Sequence, residues 1–96
     1  MMLFRCYIRG ENFPGELILQ KGLYGFYTTR WVEADSAEEA EILALEMLKG
    51  EQTFQVKSPK LREQSKAKVY FEEIVPVRVT KQKRINAGAA WFEMEQ

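Results

Sequence analysis

Residues 24–50 read YGFYTTRWVEADSAEEAEILALEMLKG, and this stretch decides the fold. Its first part, Tyr24 to Ala34, is the densest run of β-forming residues in the chain and predicts a central strand. Period-two alternation sets Tyr24, Phe26, Thr28, Arg30 and Val32 on one face and Gly25, Tyr27, Thr29, Trp31 and Glu33 on the other. Both faces carry bulk, so the pattern leaves open which of them meets the core. The second part begins at Asp35-Ser36-Ala37-Glu38-Glu39. Ser36 can accept from the Glu39 amide while the Glu39 carboxylate returns to the Ser36 amide, and both glutamates suit the positive end of a helix. Ala37, Ala40, Leu43, Ala44, Met47 and Leu48 then form one stripe at helical spacing. Lys49 suits the last turn and Gly50 the position after it, which predicts a helix over residues 37–49.

Upstream, residues 2–9 alternate as a strand, with Phe4, Cys6 and Ile8 against Leu3, Arg5, Tyr7 and Arg9. Residues 10–15 have turn chemistry, and the short apolar run at 16–20 reads as the return strand of a hairpin. Downstream, residues 51–66 are polar and read as a loop, with Phe54 and Val56 as a short edge strand and Ser58-Pro59 as a break. Strand-like composition returns over residues 67–77, where Pro76 marks an edge, an end or a bulge, and again over 90–95. The order β-β-β-α-β-β predicts an α+β domain spanning residues 1–96: a mainly antiparallel four- or five-stranded sheet with one helix packed on one face.

Ninety-six residues suit one domain, and 46% hydrophobic with 29% charged residues is enough to bury a core. The chain has no histidine, one cysteine (Cys6) and one aspartate (Asp35), which excludes Ser-His-Asp and Cys-His chemistry and histidine metal sites. Glu72 and Glu73 are adjacent on a strand, which on regular alternation sends their carboxylates to opposite faces and makes them a poor acid/base pair. Cys6 falls on the inferred core face, where a thiol behaves as a small hydrophobe. The expectation is a non-enzymatic chain without cofactor or metal. A single cysteine favours a reducing cytoplasmic setting, no signal peptide is read at the N-terminus, and no uncharged run approaches the roughly 20 residues of a membrane span.

One helix hides one side of a sheet. If Phe4, Cys6 and Ile8 face it, the other side carries Tyr7 with Tyr27, Trp31 and Tyr70 from neighbouring strands, a face too aromatic to stay bare. A second copy of the chain, another protein or the chain's own 77–90 segment is the favoured cover, and Ile42 and Leu45, opposite the helix core stripe, point to an oligomer or to the 51–66 loop folding back over them. Single-stranded nucleic acid stacking on the aromatics is the alternative, and a small molecule or peptide comes third. The net charge of zero is a cancellation: residues 1–56 carry five basic and nine acidic groups, residues 57–84 nine basic and three acidic, and residues 85–96 two glutamates. The candidate basic patch is Lys57, Lys60, Arg62, Lys66, Lys68, Arg78, Lys81, Lys83 and Arg84. It reads either as solvated loops, as a phosphate-binding edge, or as the complement of a neighbour's acidic helix.

Two strings resemble known families. Residues 21–27 are similar to the aromatic string of RNA-recognition motifs, but Leu23 is inserted and residues 10–20 supply no helix. Residues 25–48 are similar to the core of HicB-like antitoxins, which also use a small sheet with one helix, whereas the basic 51–84 region departs from that pattern. Neither assigns a family.

Overall fold

The computed structural model describes residues 1–55, 66–78 and 88–94. Strands β1 (Met2–Pro14), β2 (Leu23–Ala34), β3 (Lys68–Val77) and β4 (Ala90–Glu93) flank helix α1 (Ala37–Gly50) in the order β-β-α-β-β. Among the described residues they form one antiparallel sheet, ordered β3-β1-β2-β4, with the helix against it. This is the α+β architecture read from the sequence, in its four-stranded form.

The β1–β2 hairpin resolves the ambiguity of the central strand. Phe4 pairs with Val32, Cys6 with Arg30, Ile8 with Thr28 and Gly10 with Phe26, so the even-numbered side chains of both strands face the helix. Phe4, Cys6, Ile8, Val32 and Ala34 bury against Ala40, Ala44 and Leu48, with Leu43, Met47, Phe54, Val69, Phe71 and Ile74 packed around them. Two small residues on the buried helix face, Ala40 and Ala44, let the backbones approach closely; Ala37, expected in the stripe, is exposed.

Local differences from the sequence expectation have identifiable causes. Residues 16–20 are not a strand: Gly15–Ile18 is a 3-10 turn, and β1 itself continues to Pro14 as the partner of β2. The connection closes on itself, with Gly15 N donating to Gly22 O and Gln20 N to Gly15 O, each at 2.8 Å. A register shift between Gly10 and Phe13, with Asn12 at φ 59°, lets β1 run past the point where the turn was expected. Ser36 caps α1 as expected, its Oγ accepting from Glu39 N at 3.1 Å. Gly50 remains helical and Glu51 takes the capping position with φ −87°, so no left-handed glycine ends the helix. Phe54 belongs to a second 3-10 turn, Gln52–Phe54, rather than an edge strand; Val56 lies outside the described residues. Pro76 sits on β3, an edge strand among the described residues, opposite Phe4, a position open to proline.

Candidate interaction face

The sheet face away from the helix collects the odd-numbered residues of β1 and β2. Tyr7 and Tyr27 stack there with ring centroids 5.5 Å apart and planes 9° from parallel, and Phe92 of β4 extends the row at 5.4 Å from Tyr27. Tyr70 of β3 lies across from Arg9, whose guanidinium sits over its ring at 4.8 Å. Tyr7, Tyr27 and Tyr70 are 37%, 37% and 39% exposed, which is high for stacked aromatic side chains. At the far end of the same face Leu3 is buried while its partner Glu33 is exposed.

The charges around the rings are arranged by a bulge. β1 and β3 change register between Tyr7/Glu73 and Ile8/Phe71, so that Glu72 is the extra residue on β3. Regular alternation would send Glu72 and Glu73 to opposite faces, and the bulge overturns that expectation. Glu73 reaches Arg5 Nη2 at 3.5 Å and Glu72 reaches Arg9 Nε at 2.8 Å, both on the aromatic side. Arg9 also meets Glu11 through Nη1 at 2.8 Å. Both arginines of the face are therefore neutralised within the chain, and Lys68 stands opposite Glu11 in the register.

Of the residues singled out by sequence, Tyr7, Tyr27, Trp31 and Tyr70 share this face; Trp31 is half-buried opposite Arg5. Ile42 is exposed and Leu45 half-buried, but both belong to α1 on the other side of the sheet. Lys66 and Lys68 precede or begin β3 and Arg78 follows it; all three are exposed. Ten residues of strand place Lys68 and Arg78 roughly 30 Å apart, so the described basic residues do not form one cluster. Lys57, Lys60, Arg62, Lys81, Lys83 and Arg84 lie outside the described residues. Phe92 is the face residue that the sequence reading missed. Its signal was the alternation of residues 90–94, which puts Phe92 opposite Trp91.

A second polar arrangement was also missed. Arg30 is wholly buried on the helix side of β2. Its Nη2 donates to Glu51 Oε1 at 2.8 Å and its Nε to Oε2 at 3.3 Å, a forked pairing with a carboxylate that keeps 28% of its side chain exposed. Nη1 donates to the Thr28 hydroxyl, to Thr29 O at 3.0 Å and to Gly88 O at 3.2 Å, and the Thr28 hydroxyl donates to Gly88 O at 2.7 Å. An arginine amid Phe26, Val32 and Ala34 on an apolar face is the sequence signal for such a site, since a buried guanidinium requires a carboxylate nearby. Which carboxylate it takes depends on tertiary placement.

Burial, and secondarily the Glu41 carboxylate, push the Cys6 thiol above its ordinary value. Among the described residues no three His, Cys, Asp or Glu side chains converge as a metal site, and no helix is long and apolar enough to cross a membrane. Comparison of the chain with protein-family models, curated proteins and solved structures finds no match.

Proposed function

We propose that this chain is a non-enzymatic interaction module that associates through the aromatic sheet face, with a second copy of itself as the partner. The observation that carries this is the exposed Tyr7–Tyr27 stack, extended by Phe92 and bordered by arginines already paired with Glu72 and Glu73. Aromatic surface of this kind gains from leaving water and loses little side-chain entropy on docking, because the stack already orders the rings. An isologous interface sets a patch against itself, which repels when the patch has one sign of charge. Here the two signs interleave, so two copies can meet without net repulsion. No cofactor is needed, and a reducing compartment such as the cytoplasm suits the single buried cysteine.

Size-exclusion chromatography with light scattering at tens of micromolar tests the proposal. A dimer mass that falls towards the monomer on dilution is the expected result. A monomer mass throughout that range overturns it.

The row of rings also supports a second reading, a stacking platform for single-stranded nucleic acid. Against it stand the ion pairs of Arg5 and Arg9, which would have to open before either arginine met a phosphate. Fluorescence anisotropy with labelled single-stranded RNA at low salt distinguishes the two: salt-sensitive binding supports the platform, and its absence removes it.

A further inference from the structure

We infer that Arg30 is the positioning residue that holds β4 in place and thereby sets Phe92 on the aromatic face, an inference whose second half rests on that face being the contact surface. β4 is four residues long and, among the described residues, pairs along one side, with Tyr24 to Tyr27. So short a strand makes few ladder bonds; its far end is held by Met94, whose N donates to Leu23 O at 3.1 Å and whose Sδ accepts from Asn12 N at 3.0 Å. Its lead-in is fastened to Arg30: Gly88 O accepts from Arg30 Nη1 at 3.2 Å and from the Thr28 hydroxyl at 2.7 Å.

The same guanidinium reaches β4 by a second route. Its fork on Glu51 fixes the residue directly before the Gln52–Phe54 turn, and the Phe54 ring stacks on Trp91 at 5.9 Å. Trp91 also packs on Phe26 at 5.1 Å, on the helix side, while its neighbour Phe92 meets Tyr27 on the outer side. Adjacent strand residues point to opposite faces, so whatever seats Trp91 inside fixes Phe92 outside, and a slip of one residue exchanges them. A wholly buried guanidinium tolerates little displacement of its acceptors, because each lost partner leaves a charged donor without water. Arg30 therefore couples three segments distant in sequence, and the outer face inherits its geometry from a charge buried on the inner one.

Hydrogen exchange on the full chain, diluted to monomer, tests the hold on β4 for Arg30→Met, Arg30→Lys and Thr28→Val. Arg30→Met is expected to speed exchange at the amides of residues 90–93 by about tenfold or more, with less than about twofold change in the central residues of β1 and β3. Arg30→Lys, with one ammonium in place of a fork, should recover part of the protection. Uniform acceleration across the sheet, which a merely structural role predicts, or no change at 90–93, overturns the inference. Should Arg30→Met fail to fold, Thr28→Val removes one bond to Gly88 and one acceptor of Arg30 Nη1 while keeping the pair with Glu51; it must show the same localised acceleration at smaller size, and its absence is equally decisive. Association is measured separately by light scattering. Weakened association in a variant with localised opening supports the link to Phe92, and undiminished association refutes that link. A wild-type chain that never associates removes the interface, while the exchange data still decide whether Arg30 holds β4.

Discussion

Tyr7 and Tyr27 stack across β1 and β2 although they are not register partners: Tyr7 stands opposite Thr29, and Tyr27 opposite Arg9. The contact is diagonal, within the reach of aromatic side chains on neighbouring strands, and it leaves more than a third of each residue in water. Both rings are thus held by each other rather than by the core. Replacing either should spare the fold and damage whatever the face binds. Tyr7→Ser and Tyr27→Ser are each expected to weaken self-association by about thirtyfold, the scale of an interface hot spot of about 2 kcal/mol, with an unchanged far-ultraviolet circular dichroism spectrum. Sedimentation equilibrium provides the affinity, and wild-type affinity in both variants would count against the face.

The ion pairs on the same face make a prediction of opposite sign. Glu72→Gln with Glu73→Gln leaves Arg9 with Glu11 alone and Arg5 without its carboxylate. The wild-type chain is expected to ignore single-stranded RNA, and the double variant to acquire weak binding that fades as salt is raised. Anisotropy titrations at two salt concentrations check this. Strong, salt-sensitive binding by the wild type would show that the carboxylates do not mask the arginines.

Two glycines report on the two sides of the sheet. A Cβ on Gly10 would lie 2.0 Å from Phe26 Cε2, and Phe26 is enclosed by Phe13, Phe54 and Trp91 with no room to withdraw. Gly10→Ala should therefore cost about 1–3 kcal/mol of stability, the usual range for overpacking a core, measured by urea unfolding. A Cβ on Gly25 would meet Phe92 Cζ at 2.2 Å, on the outer face, as well as the Gly10 carbonyl oxygen at 2.8 Å. Gly25→Ala should displace the Phe92 ring, so its association should fall further than its stability alone explains.

Alkaline pH isolates Cys6. Burial first and Glu41 second raise the folded thiol above its ordinary value of 9.0. The unfolded chain then loses this proton before the folded one does, so the contribution of Cys6 to stability is complete below about pH 9 and is lost as pH rises towards the folded value. Tyrosine and lysine titrations act on wild type and variant alike. The urea midpoint should accordingly fall more steeply above about pH 9 for the wild type than for Cys6→Val, and parallel curves would mean that the thiol is not shielded.

Much of the fold could be read directly from the chain. The helix and its Ser36 cap depend on residues three and four apart, and the two long strands of the hairpin depend on period-two alternation, so both kinds of signal are complete within a dozen residues. The aromatic face was half visible for the same reason: alternation sets Tyr7 opposite Phe4, Cys6 and Ile8 and groups Tyr27 with Trp31, without saying that the two groups share a side.

What remained depended on pairing. Alternation is unchanged when a strand is turned over, so only the alignment of Cys6 with Arg30 decided which side of β2 met the helix. The bulge at Glu72 is likewise a relation between β1 and β3, and it alone brings two adjacent carboxylates to one face. Arg30 announced its need for a counterion by its place on an apolar face, but its partners stand 21 residues away at Glu51 and 58 away at Gly88. Local chemistry along the chain determined the elements and their apolar sides. The register between strands, and the compensation of a charge that register buries, were decided only when the sheet closed, because both depend on contacts that no local stretch contains.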